Sequence, residues 1–224
     1  MPKSEPLPWQ PYPDLTDADR IAHAEAFRES MATRRSCRAF SDAPVPREVI
    51  EAAILAAGTA PSGANHQPWH FAVISSEAGK AAIRVAAEEE ERSFYAGRAG
   101  AEWLSALSPL GTGPDKPFLE TAPWLIVVFA QRRGGLDLVG RAQNYYVTES
   151  VGIACGLLLA ALHQAGVATL THTPNPMKFL NRICRRPSDD KPLMIVVAGH
   201  PAPDATIPAY ALNKKPLEQI ASWL

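Results

Sequence analysis

The stretch Arg34-Arg35-Ser36-Cys37-Arg38 puts three guanidiniums and one hydroxyl within five residues. Guanidinium forks hold phosphate oxygens in bidentate fashion, and a serine hydroxyl adds a further donor. Basic residues at a helix exit also answer the negative end of the helix dipole, so a solvated basic patch is the plain alternative. A second stretch, Ala60-Pro61-Ser62-Gly63-Ala64-Asn65-His66-Gln67-Pro68-Trp69, joins a helical pattern to an extended one. Its Pro-Ser-Gly makes a tight turn with free backbone donors, able either to approach a planar ligand or simply to connect two elements. Other signatures are missing: no Gly-rich dinucleotide fingerprint follows a strand, and there is no P-loop and no HExxH. His163, His172 and His200 have no metal-ligand spacing, so no metal is expected and each reads as a structural histidine. Cys37, Cys155 and Cys184 are odd in number and far apart, which speaks against a disulfide framework or a zinc site. Cys155 reads as a small core residue, and Cys37 either as a reactive thiol or as a small residue tolerated beside a site.

Pattern and turn chemistry outline the elements that must hold these residues. Thr16 or Asp17 can cap a helix running to about Thr33, with Ile21, Ala24, Phe27 and Met31 as its apolar positions. Pro46 opens a second helix, with Val49, Ile50, Ala53, Ile54 and Ala57 at helical spacing and Gly58 suited to its C-terminal cap. Trp69–Ile74 reads as a strand and Glu77 to about Ala96 as a charged helix. Residues 108–117 carry three prolines and two glycines and read as a loop of the kind that acts as a lid. Trp124–Ala130, Val167–Thr171 and Leu193–Gly199 read as strands. The helix Tyr145–Gln164 is apolar on nearly every side, which predicts full burial. Its Gly152 and Gly156, four apart, admit a close neighbour, either in a second subunit or within the chain.

The chain of 224 residues reads as an N-terminal extended arm, residues 1–15, followed by one domain of mixed helices and strands, residues 16–224, that includes the C-terminal stretch from Pro201. A formal charge of −1 gives no global reason to expect nucleic acid or an anionic membrane as partner. No signal peptide is visible, and the longest apolar run, about Val151 to Leu162, falls short of the roughly 20 residues that span a bilayer. A soluble, cytoplasmic protein is the expectation.

Together, the RRSxR stretch, a helix entered at Val45-Pro46 and APSGxxxQPW before a strand resemble the nitroreductase family, from about Glu25 to the C-terminus. The resemblance implies an α+β nitroreductase-like fold: a central mixed, mainly antiparallel sheet flanked by helices, in an intertwined homodimer with FMN at the subunit interface. Within the family, Glu88-Glu89-Glu90-Glu91 with Tyr95, Glu120-Thr121-Ala122-Pro123, Gly152-Ile153-Ala154-Cys155-Gly156, Thr171-His172-Thr173-Pro174 and Lys215-Pro216-Leu217 are similar to the iodotyrosine deiodinase branch, in the same order and at similar spacing. That branch removes halogen from halotyrosines with reduced FMN.

By position, the resemblance implies that Arg34, Arg35, Ser36 and Arg38 hold the FMN phosphate and ring edge, and that Pro61, Ser62 and Gly63 lie along the flavin. Thr171, His172 and Thr173 line its other side, with the Thr173 hydroxyl nearest N5 as the catalytic group. Lys214 stands where the family carries arginine, which keeps the charge and loses the fork. Glu91, Tyr95 and Lys116 match the branch's substrate clamp, and the Ala64 backbone N–H matches its phenolate donor. The clamp has a physical logic of its own. A free amino acid presents an ammonium that needs a carboxylate and a carboxylate that needs a cation, and Glu91 and Tyr95, four apart, share a helix face. Glu88, Glu89 and Glu90 are expected to be a solvated charge run, and the Gly/Pro content of 107–114 departs from more helical relatives. The implied activity is FMN-dependent reductive dehalogenation of halotyrosines, with electrons from NAD(P)H directly or through a separate reductase or ferredoxin. Three rival readings stay open at this stage. They are a general NAD(P)H-dependent nitroreductase or quinone reductase, the flavin-fragmenting branch, and a flavin-binding protein without turnover.

Overall fold

The computed structural model describes residues 5–9, 12–136 and 142–224, so the expected arm at 1–15 lies partly outside the described residues. The chain divides into two compact units, Met1–Arg34 and Arg35–Leu224. The first is built on α1 (Asp17–Thr33). Thr16, rather than Asp17, caps it: the Thr16 hydroxyl accepts from the Asp19 N–H at 3.2 Å, and the Asp19 carboxylate accepts from the Thr16 N–H at 3.2 Å. Its expected apolar face is not buried, with Ile21 64% and Phe27 53% exposed.

The second unit runs α2 (Arg47–Gly58), β1 (Trp69–Ile74), α3 (Glu77–Ser93), α4 (Ala101–Leu107), α5 (Phe118–Thr121), β2 (Trp124–Gln131), β3 (Arg133–Gly134), β4 (Ala142–Gln143), α6 (Val147–Gln164), β5 (Ala168–His172), α7 (Phe179–Ile183) and β6 (Asp190–Gly199). The main sheet has the order β1-β2-β6-β5 and every strand pair in it is antiparallel. A parallel bridge from Ser36 to Thr169 adds one further pairing on the free edge of β5, so the sheet is mixed and mainly antiparallel as expected. The short helices α4, α5 and α7, of seven, four and five residues, escaped the periodic pattern because none completes two turns.

Strand alternation divides the core in two. On β2, Ile126, Val128 and Ala130 pack with α2 and α6 on one face, while Leu125, Val127 and Phe129 pack with α3, α5 and α7 on the other. β6 repeats the division, with Val196 and Ala198 on the first face and Ile195 and Val197 on the second. These central strands are buried on both sides, which is why they read as continuous apolar runs.

Full burial of the long apolar helix is not what the fold delivers. α6 buries Val151, Ala154, Cys155, Leu158 and Leu162 against α2 and the sheet, yet leaves Ile153 47% and Leu157 38% exposed beside Gly152 and Gly156. A Cβ added at either glycine meets no atom within 4 Å among the described residues, so packing within the chain does not require them. By length and hydropathy α6 also passes for a membrane-crossing helix, a property it shares with core helices of soluble proteins. Leu158 is fully buried in the α2/α6 layer. Leu158→Ala is expected to cost about 2–5 kcal/mol of unfolding free energy by equilibrium urea denaturation.

Candidate active site

The Pro61–Trp69 turn stands at the end of α2 and is fastened from several sides. The Ser62 hydroxyl accepts from the Gln67 N–H at 2.9 Å, and the Gly63 N–H donates to the Ser150 hydroxyl at 3.3 Å, joining the turn to α6. His66 Nδ1 meets Asn144 Oδ1 at 2.9 Å, and buried Asn144 donates to the Gln131 carbonyl at 2.8 Å. Gly63 has no room for a side chain: a Cβ would lie 2.6 Å from the Tyr145 carbonyl oxygen. Ala64, Asn65 and Gln67 all take left-handed φ values of 51°, 55° and 50°. Residues with a Cβ pay for this conformation, and such strain collects at functional sites. Sequence reading identified the turn and missed the strain, because alanine carries no signal for positive φ.

The basic stretch runs along the outer edge of the sheet. The Cys37 N–H donates to the Thr169 carbonyl at 2.9 Å, and the Ser41 N–H donates to the His200 carbonyl at 2.9 Å. This threading brings Arg38 alongside the end of β5. There, alternation turns Thr171 and Thr173 outward and His172 inward, 7% exposed and edge-on to Phe118 at 5.7 Å between ring centres. Arg34 caps the C-terminus of α1, its N–H on the Met31 carbonyl at 3.2 Å. Cys37 is buried, its thiol donates to the Ala39 carbonyl at 3.1 Å, and burial pushes its pKa up. That favours the reading of a small residue beside a site over a reactive thiol.

A cavity of about 850 Å³ opens between the α3 layer and the end of β5. Glu91, Tyr95 and Lys116 line it together with Arg38, Thr171, His172 and Thr173. α3 carries Glu91 in its last full turn and continues into a wide turn, Phe94–Arg98, closed by Gly97 at φ 145°. Lys116 Nζ stands 3.2 Å from Glu91 Oε2, with side chains only 8% and 13% exposed, and 5.9 Å from the centre of the Tyr95 ring. The ammonium also donates to the Gly113 carbonyl at 2.6 Å, and the Tyr95 hydroxyl meets the Thr112 hydroxyl at 2.9 Å. Residues 111–116 thus fold over the cavity as a lid, with Trp103 of α4 also at its wall.

The glutamate run is not uniformly solvated. Glu89 is exposed as expected, but the Glu88 side chain is 13% exposed, paired with Arg84 at 2.8 Å, and accepts the Lys116 backbone N–H at 2.7 Å. Burial alone would raise the Glu88 pKa, but the Arg84 guanidinium, the Lys116 amide and Arg92 together hold it below the ordinary value. Glu90 pairs with Arg98 at 2.9 Å, and Arg98 reaches the Asn175 carbonyl. The i,i+4 spacing of Arg84 and Glu88 was the available signal. Nothing in the sequence pointed to the backbone of Lys116 as the third partner.

The single chain brings the clamp, Arg38 and the Thr171–Thr173 segment together at one cavity. Pro61, Ser62, Gly63 and Ala64 belong to the α2/α6 layer, across the sheet from the α3 layer that carries Glu91 and Tyr95. Lys214 is exposed, its ammonium on the Ala211 carbonyl at 2.9 Å, and does not line the cavity, nor do Arg35 and Ser36. The donor set present fits the expected FMN. Exposed threonine hydroxyls and a guanidinium line the cavity, and a buried acceptor or donor, His172 Nε2, has no partner among the described residues.

Burial, and then the Lys116 charge, depress the His172 pKa to about 3. A histidine whose folded pKa lies below its unfolded value supports the fold fully above the unfolded pKa of about 6.5 and loses that contribution as pH falls toward the folded one. Between pH 6.5 and 5 the protein is expected to lose about 2 kcal/mol of stability through this group. Urea titrations at the two pH values should show that loss in the native chain and a smaller one in His172→Gln.

The nitroreductase family model matches residues 31–200. An iodotyrosine deiodinase of Haliscomenobacter hydrossis is 50% identical over 190 residues, covering 85% of this chain and 86% of that protein. The human iodotyrosine deiodinase 1 is 42% identical over 205 residues, covering 91% of this chain and 70% of that one. Among solved structures, an oxidized iodotyrosine deiodinase bound to FMN and 3-iodo-L-tyrosine superposes with a TM-score of 0.69 at 30% identity, over 79% of this chain and 90% of that one. A BluB-like flavoprotein from Clostridium difficile shares the fold at 19% identity and a TM-score of 0.65, over 88% of this chain and 98% of that one. By fold and by these relatives, the chain belongs to the nitroreductase family and, within it, to the iodotyrosine deiodinase branch.

Proposed function

We propose that the protein is an FMN-dependent oxidoreductase that removes halogen from halotyrosines, releasing tyrosine and halide. The observation that carries this reading is the buried Glu91–Lys116 pair beside Tyr95, in one cavity with Thr171 and Thr173. A zwitterionic amino acid exchanges with such a pair charge for charge: its ammonium takes Glu91 and its carboxylate takes Lys116. Neither protein charge is then left bare in a poorly solvated site, which is the costly alternative. The Tyr95 hydroxyl, released from Thr112, is a further donor to the bound amino acid.

Bound FMN in its reduced form supplies the two electrons that turn a carbon–halogen bond into a carbon–hydrogen bond, with a proton taken up at that carbon and halide expelled. The chain's part is placement. Arg34, Arg35, Ser36, Arg38 and Lys214 would be the donors for phosphate and ring edge, and Thr171 and Thr173 would offer hydroxyls to the ring, with Thr173 as the group that would serve its N5. Pro61, Ser62, Gly63 and the Ala64 N–H, across the sheet, belong to the facing half of the site. Because the halves lie in different layers, a second copy of the chain completes each site. The exposed Gly152, Ile153, Gly156 and Leu157 stripe on α6 is an apolar surface suited to that contact. A homodimer with two FMN sites, soluble and cytoplasmic, follows from this reading, with reducing equivalents from NAD(P)H or a separate reductase.

The direct test is anaerobic. FMN-loaded protein is reduced with dithionite and mixed with 3-iodotyrosine. One tyrosine and one iodide per flavin, with reoxidation of the flavin, is the expected result; a flavin that stays reduced overturns the reading. Glu91→Gln removes the negative charge that would answer the ammonium while keeping shape and an acceptor oxygen. It should raise the KM for iodotyrosine about 100-fold, the worth of a buried charge-assisted hydrogen bond, while FMN content by absorbance is unchanged.

A further inference from the structure

We infer that Glu88 is a positioning residue for the lid: braced by Arg84, its carboxylate grips the Lys116 backbone N–H and so sets where the Lys116 ammonium stands. This rests on reading the cavity as an amino-acid site. Glu88 Oε1 accepts the Lys116 N–H at 2.7 Å and the Arg84 Nε–H at 2.8 Å, and Arg84 reaches on to Glu120 Oε2 at 3.0 Å. Lys80, four residues before Arg84, donates from its buried ammonium to the Glu120 and Ala122 carbonyls at 2.7 and 3.0 Å. Lys80, Arg84 and Glu88 therefore form one stripe on α3 that rivets residues 116–122 to the helix.

The two sides of Lys116 differ in kind. Before it, the lid is held by contacts among groups at the cavity, Tyr95 with Thr112 and the Lys116 ammonium with the Gly113 carbonyl. A zwitterion competes for those groups. At its own backbone the hold is a carboxylate on the N–H, with Glu88 13% exposed and its charge already answered by Arg84, and beyond it Lys80 and Arg84 hold Glu120 and Ala122. A bound amino acid has no means of displacing that hold. The lysine's base stays fixed while its head changes partner, and the lid moves as a flap hinged at Lys116. Arg84 has a second consequence. An unbraced Glu88 would be a rival carboxylate for the Lys116 ammonium and for the substrate's own ammonium, three residues from Glu91. Pairing with Arg84 removes that competition and leaves Glu91 as the anionic pole of the site.

The test uses FMN-loaded protein with Glu88→Ala, Glu88→Gln and Arg84→Gln. In Glu88→Ala the KM for 3-iodotyrosine is expected to rise about 10-fold and kcat to change less than about 3-fold, consistent with loss of one charge-assisted hydrogen bond. FMN content stays unchanged. Without substrate, amide hydrogen exchange in residues 111–116 should rise about 10-fold, since the Lys116 N–H loses its acceptor. Glu88→Gln keeps a carbonyl oxygen for that N–H and should return both readouts to within about 3-fold of the native protein. Arg84→Gln removes the brace and leaves the carboxylate on the Lys116 N–H with only Arg92, at 3.9 Å, beside it; it should give the Glu88→Ala pattern in weaker form, deciding the question if Glu88→Ala fails to fold. Unaltered exchange at 111–116, or a parallel fall in kcat, FMN content and Tm in every variant, overturns the inference. A native protein that leaves iodotyrosine untouched refutes the substrate reading instead, and the exchange measurement still decides the role of Glu88.

Discussion

Apolar burial on both faces of the β2–β6 pair organises the rest of this chain. Leu125, Val127 and Phe129 draw α3, α5 and α7 to one side, and Ile126, Val128 and Ala130 draw α2 and α6 to the other. At about 25 cal/mol per Å² of apolar surface removed from water, neither face can be left uncovered. The consequence for function is a separation. The Glu91 carboxylate on α3 and the turn at the end of α2 stand in different layers of the chain, on opposite sides of the sheet.

Within the α3 layer, electrostatics take over from burial. Lys116 and Glu91 are both nearly buried and each is the other's answer, at 3.2 Å. A buried pair of this kind contributes little net stability, because desolvation offsets the attraction. What it does is hold two opposite charges together at the wall of the cavity. Around them, Arg84, Glu88 and Glu120 form a second set of charges that is fully engaged with itself and with the backbone. One set of charges thus stands at the cavity, and the other ties residues 116–120 to α3.

The turn at Pro61–Trp69 shows the same division in backbone form. Three residues with side chains sit in left-handed conformations, kept there by Ser62, Ser150 and the Asn144–His66 contact. The strain is local, and the bonds that offset it come from α6 and from the strand end carrying Asn144, far along the sequence.

Much of this was legible in the residues alone. The apolar runs marked β2 and β6, because strands buried on both faces need uninterrupted apolar side chains. The four-residue spacing of Glu91 and Tyr95 signalled that both could face one site, and both line the cavity although α3 ends at Ser93 and Tyr95 lies in the wide turn after it; the glycines and prolines of 108–117 marked a loop. Short-range chemistry of this kind is written in spacing. What spacing does not contain is who meets whom across the fold. The apolar character of α6 was plain, but its division into a buried stripe and an exposed one depends on which neighbours arrive. Glu88 looked like one more solvated charge until tertiary packing brought the Lys116 backbone N–H, 28 residues on, to its carboxylate. His172 looked structural, and alternation at the strand end turned it inward beside Lys116, with one ring nitrogen unpartnered among the described residues. Periodicity and residue type are properties of a few neighbouring positions, and so the sequence determined the elements and the chemical classes present. Burial, partner choice and pKa depend on atoms distant along the chain, and only the tertiary structure decided those.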